Sequence, residues 1–160
     1  ATTPCISLTL KYSEKTLLVE QVSPIVSEEW SHFRMVLKEL EKRGLKLGRQ
    51  RKDEYVIELM LFIRKGTSPE ELLLDKLLFS AMIEARSCER FRLLSLNISD
   101  ESLRSFYHEF MVSEAGHYRL FLDLAEHYLG KERTQKRWKE CLAFEAEIVK
   151  KLKPRADRMH

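Results

Sequence analysis

Between residues 103 and 128 the apolar residues recur at steps of four and three: Leu103, Tyr107, Phe110, Phe121, Leu124 and Tyr128. That period marks the buried seam of an α-helix. Two members of the series are not apolar. Glu114 and His117 fill the seam positions between Phe110 and Phe121, within Ser113-Glu114-Ala115-Gly116-His117. Three apart on a helix, they project from one side. An ionised carboxylate in a core costs several kcal/mol unless it is paired or bound to a cation. The chain must therefore fold as helices that bring something to this seam to offset that cost.

The rest of the sequence agrees with a helical protein. Its 160 residues suffice for one domain with a core, and only 5 Gly and 4 Pro argue against a turn-rich β fold. Residues 1–11 read as the tail of a helix. Residues 14–43 carry a stripe of Val22, Ile25, Glu29, His32, Val36 and Leu40, with Pro24 expected to kink or restart the helix and Gly44 to stop it. A shorter helix is expected over about 53–65, burying Val56, Leu59, Met60 and Ile63. Ser68-Pro69-Glu70-Glu71 is a strong start for a helix running to about residue 95, with the stripe Leu74, Leu77, Ala81, Glu84, Cys88 and Phe91. Ser99 or Asp100 caps the next helix, Gly130 ends it, and a last one over about 131–152 aligns Trp138, Cys141, Glu145, Ile148 and Leu152. No stretch alternates with period two, so the fold is expected to be all-α, a helical bundle.

The Glu-x-x-His pattern occurs twice. Glu29-Trp30-Ser31-His32 repeats it on another seam, and Glu84 occupies a seam position thirty residues before Glu114. Two such motifs, each preceded by a helix with one inward Glu, form the ligand recipe of a two-metal carboxylate bundle. Each motif supplies an imidazole and a carboxylate from one face, and hard oxygen donors with one nitrogen per metal suit iron or manganese. Five of six expected ligands are present: Glu29, His32, Glu84, Glu114 and His117. The sixth, placed thirty residues before Glu29, projects to about position −1. The first residues, Ala1-Thr2-Thr3, lack a Met, so the chain is expected to be missing preceding residues, including part of its first helix. The competing reading is a metal-free polar core in which these groups pair with one another.

Other polar seam residues have plainer readings. Glu145 is expected to be partly exposed, with hydrogen bonding to a ligating His as the alternative. Packing is the expected role of Tyr107, and Cys88 reads as a small core residue. Gly116 costs the helix about 1 kcal/mol relative to Ala and would either open space beside metals or do nothing. His108, His127 and His160 are expected to face solvent. Cys5, Cys88 and Cys141 are too few for a disulfide framework and read as free thiols in a reducing compartment. Neither a signal peptide nor a membrane-spanning run is evident.

The segments Ser27-Glu28-Glu29-Trp30-Ser31-His32-Phe33, Ile83-Glu84-Ala85-Arg86-Ser87-Cys88-Glu89-Arg90-Phe91 and Ser113-Glu114-Ala115-Gly116-His117-Tyr118 carry a family resemblance. The second is the most specific. With Arg43-Gly44 and the closing Arg158-Met159-His160, the sequence resembles the MiaE family of tRNA-(2-methylthio-N6-isopentenyladenosine) hydroxylases. That resemblance implies a ferritin-like four-helix bundle core with additional helices, a single di-iron domain over residues 1–160. It implies two Fe ions, O2 as co-substrate, an external electron donor and a cytoplasmic location. The reaction implied is monooxygenase hydroxylation of the isopentenyl group beside the anticodon of tRNA. The metal ligands carry over to Glu29, His32, Glu84, Glu114 and His117. The family's first-helix Glu has no counterpart here, and Gly116 stands where Arg is expected.

An RNA substrate calls for basic surface. The formal net charge of +3 is too small to demand a polyanion by itself. The stretch 45–52 has no acid, which makes Lys46, Arg49, Arg51 and Lys52 the RNA-binding candidates. Lys131, Arg133, Lys136 and Arg137 form a second basic set, and Lys150, Lys151, Lys153, Arg155 and Arg158 a third. For these a solvated face balanced by nearby Glu is the plainer reading. Arg86 and Arg90 are expected to pair with carboxylates rather than RNA. Two rivals remain open: a ferritin-like oxidase or iron-binding protein without a tRNA substrate, and a metal-free helical interaction module. The reductase and the oligomeric state are not legible.

Overall fold

The computed structural model describes residues 2–49 and 52–152, and among these every regular element is helical. The chain forms two compact units, Ala1–Lys52 and Asp53–His160.

The first unit is a helical hairpin, α1 (Thr2–Lys11) and α2 (Thr16–Lys42). Cys5, Leu8 and Tyr12 of its first arm and Leu18, Val22 and Ile25 of its second are buried. The four-three spacing of these residues puts them on facing stripes. α2 runs through Pro24 without interruption, so the helix does not restart there. Pro24 is exposed, so the carbonyl it leaves unbonded one turn earlier can take water instead. Gly44, at φ 64, closes α2 as foreseen. Its N–H donates to Glu41 O at 2.9 Å and the Leu45 N–H to Leu40 O at 2.9 Å, which together satisfy the last carbonyls in a Schellman motif. Residues 45–49 beyond it are exposed and carry no regular structure.

The second unit begins with α3 (Glu54–Leu59), capped by Asp53 through the Val56 N–H, followed by a 3-10 turn, Met60–Phe62. The expected helix to residue 65 is thus shorter, and its buried face shifts. Tyr55, Leu59 and Phe62 are buried, Val56 and Ile63 partly so, and Met60 is 53% exposed. Tyr55, Leu59 and Phe62, four and three apart, share one helical face, and Met60 lies about 100° round from Leu59 on the outer side.

Helix α4 (Pro69–Asn97) starts as the sequence predicts, with Ser68 accepting from the Glu71 N–H and Pro69 at the first turn. From Leu73 to Met82 nearly every residue is buried, and most of them are apolar. Helix α5 (Glu101–Leu129), capped by Asp100, packs along α4 in the most extensive helix contact of the unit. Gly130, at φ 83, ends α5 and begins α6 (Lys131–Lys151). Thr134, Cys141, Glu145 and Ile148 are the buried stripe of α6.

Candidate metal centre

Each donor is positioned by its helix period. Glu84 lies on the face of α4 that meets α5, and Glu114 and His117 lie on the α5 face that meets α4. Their exposures are 1%, 6% and 5%. Each of the three presents one ligand atom within 4.8 Å of the others. His117 Nδ1 stands 3.9 Å from Glu84 Oε2, beyond hydrogen-bond length. Two bonds of about 2 Å to one hard cation would span such a gap. The Glu84 Oε2 atom is buried and has no hydrogen-bond partner.

A carboxylate oxygen so placed costs several kcal/mol if it stays charged and unbonded. The donor chemistry, two carboxylates and an imidazole converging in a buried helix interface, fits a divalent cation of the iron or manganese type. Phe110 and Phe121, one turn to either side of the α5 pair, are 3% and 0% exposed and keep the interface apolar.

In its own unit, α2 carries the other Glu-x-x-His pair in the predicted register. His32 Nδ1 lies 3.7 Å from Glu29 Oε1, with side chains 14% and 13% exposed. Glu28 stands 3.9 Å from His32 Nε2.

Several neighbours differ from their sequence reading. Glu145 is buried rather than partly exposed. It accepts from the Tyr55 hydroxyl at 3.3 Å and pairs with Arg86 Nε at 3.2 Å, because α3 and α4 both bring donors to its turn of α6. Burial, then the Glu145 charge, raises the Tyr55 pKa above its ordinary value. Arg86 therefore pairs with carboxylates, Glu145 and Glu89, as expected. Gly116 lies on the exposed side of α5, where an added Cβ would meet nothing, so it opens no space toward Glu114 and His117. Cys88 is half-buried, its thiol pKa pushed up by burial and then by Glu114. The Tyr107 ring stacks on Phe91 at 5.9 Å, a packing role.

Sequence reasoning missed Asp75. It is 0% exposed and receives Arg64 Nε and Arg137 Nε, each at 2.8 Å, together with the Arg64 backbone N–H at 2.9 Å. Burial alone would raise its pKa, but the hydrogen bonds from Arg137 and Arg64 outweigh this and hold it below 3.8. Arg137 also donates to Phe62 O at 3.0 Å and lies 3.8 Å from the Phe62 ring centroid, which removes it from the basic surface. The signal was an acid inside a run, Leu72 to Phe79, whose only other charged residue is Lys76.

Among the other basic candidates, Lys46, Arg49 and Lys52 are exposed, and Arg51 lies outside the described residues. Lys131 and Lys136 are exposed, Arg133 is 3.5 Å from Glu70, and Lys150 pairs with Glu147 at 2.7 Å. Lys153, Arg155, Arg158 and His160 also lie outside the described residues, while His108 and His127 face solvent.

Among the described residues every element is helical, buried acid and imidazole donors lie on a helix seam, and the chain's fold is of the ferritin-like class. Its fold matches a solved structure from Synechococcus with a TM-score of 0.89 at 31% identity, over 96% of this chain and 76% of that one. That structure is described as protein 43 with aldehyde deformylating oxygenase activity. Within the class, the chain belongs to the tRNA-(MS2IO6A)-hydroxylase family, MiaE, which it matches over residues 1–160. It is 37% identical to the tRNA 2-(methylsulfanyl)-N(6)-isopentenyladenosine(37) hydroxylase of Pseudomonas putida, over 93% of this chain and 71% of that protein. The hydroxylase of the same name from Salmonella typhimurium is 35% identical over 68% of this chain and 39% of that protein. No described helix is long and apolar enough to cross a membrane.

Proposed function

We propose that this chain hydroxylates the isopentenyl side chain of 2-methylthio-N6-isopentenyladenosine in tRNA, next to the anticodon. In this reading Glu29, His32, Glu84, Glu114 and His117 hold two iron ions, O2 is the co-substrate and an external donor supplies electrons in the cytoplasm. The observation that carries it is the convergence of Glu84, Glu114 and His117 on a buried seam, with Glu84 Oε2 lacking a hydrogen bond, in a chain of the MiaE family.

The bound metal pair would supply O2 reduction and insertion of one oxygen atom into a C–H bond. The residues supply the rest. Three carboxylates among the five donors offset all but one charge of two divalent cations. Phe110 and Phe121 exclude water from the α5 pair, which strengthens every electrostatic contact there. The exposed Lys46, Arg49 and Lys52, with Arg51, are the proposed contacts to tRNA phosphate.

The test loads the purified full-length protein with ferrous iron without oxygen, then adds O2, a reductant and tRNA carrying the unhydroxylated nucleoside. Two irons per chain and hydroxylated nucleoside after digestion are expected. No bound iron, or unchanged nucleoside with iron bound, overturns the assignment.

A second reading is favoured by the 31% identical structure described as having aldehyde deformylating oxygenase activity. An aldehyde offered in place of tRNA separates the two, since turnover of aldehyde alone would replace the RNA substrate.

A further inference from the structure

Arg86 sits two residues beyond Glu84 on α4, about 200° round the helix and about 3 Å along it. Glu84 points toward α5. Arg86 points the other way, and its Nε meets Glu145 Oε1 of α6 at 3.2 Å. The same Oε1 accepts the Tyr55 hydroxyl of α3 at 3.3 Å. The turn of α4 that carries Glu84 is thus held from its reverse side by Glu145 of α6, which Tyr55 of α3 holds in turn.

Stability alone gives little reason for this arrangement, because well-packed apolar residues can replace a buried ion pair at no loss. Apolar contacts let a helix roll and slide, whereas a directional ion pair with a second hydrogen bond fixes its rotation. A carboxylate reaches about 6 Å from its helix axis, so a roll of about 10° moves it by about 1 Å. Metal sites tolerate roughly half of that.

We propose that Tyr55, Glu145 and Arg86 form a brace that sets the position of Glu84 for metal binding. This rests on the metal reading above. Arg86 and Glu145 are then positioning residues, acting on the ion through Glu84.

The test is cobalt(II) titration of the full-length protein, well below its Tm, following affinity and the visible absorption of bound cobalt. Glu145→Ala is expected to weaken binding about tenfold to a hundredfold and to shift the absorption bands. Glu145→Gln, which keeps an acceptor for Arg86 and Tyr55, is expected to recover most of both. If Glu145→Ala does not fold, Arg86→Lys replaces it, with the same loss and band shift expected. Asp75→Asn breaks a more deeply buried ion pair nine residues away on the same helix. It should lower the Tm and leave affinity and bands unchanged. Wild-type affinity and bands in Glu145→Ala would overturn the brace, as would an equal loss in Asp75→Asn. Absence of cobalt binding by the wild type would instead overturn the metal reading and the brace with it.

Discussion

Asp75 and Glu84 are both carboxylates on α4, nine residues apart, and exposed by 0% and 1%. Their surroundings are opposite. Asp75 is saturated by protein donors, two guanidinium groups and a backbone N–H. Glu84 meets another acid and an imidazole, and its Oε2 has no hydrogen bond. The first is a charge neutralised inside the fold, which makes it structural. The second is the arrangement that the proposed metal reading would use. Burial alone does not separate the two; the partners of each acid do.

The contrast is sharpest for metal. Glu84→Gln should lower iron or cobalt affinity by more than a hundredfold, a larger loss than for residues that merely orient ligands. The metal-free chain should hold or gain a few degrees in Tm, because the amide replaces a buried carboxylate whose Oε2 makes no hydrogen bond. A metal-free Tm that falls instead would show Glu84 to be paired like Asp75.

Asp75→Asn should do the reverse. Arg64 and Arg137 keep Glu71 and Glu140 but lose their shared buried partner, at a cost of about 3 kcal/mol. That corresponds to a Tm drop on the order of 10 °C, with metal stoichiometry of the folded fraction intact.

Acid gives a milder version of the same contrast. The Asp75 pKa is held below 3.8, so its contribution is fully present above that value and is lost as pH falls through the lower, folded-state value. Wild-type Tm should therefore fall steeply below about pH 4, and Asp75→Asn should flatten the curve in that window. Parallel curves would remove Asp75 from the account.

Gly116→Ala is the smallest change expected. Its Cβ meets nothing and faces away from the buried donors, so it should stabilise α5 by about 0.5–1 kcal/mol and leave metal affinity alone. Weaker metal binding would reinstate Gly116 as part of the centre.

The sequence alone determined the helices, most of their caps and the seam positions of Glu29, His32, Glu84, Glu114 and His117, because these follow from local periodicity and turn chemistry. It misplaced Met60, since Tyr55, Leu59 and Phe62 define one apolar face and Val56, Met60 and Ile63 an adjoining one, and only packing decides which turns inward. Only the tertiary structure decided which buried acids were already paired. Arg137 reaches Asp75 across 62 positions, and Glu145 finds Arg86 and Tyr55 from two other helices. Ion pairing is a property of side chains brought together by packing, and a helical period specifies which face is buried but not which charge waits on the other side.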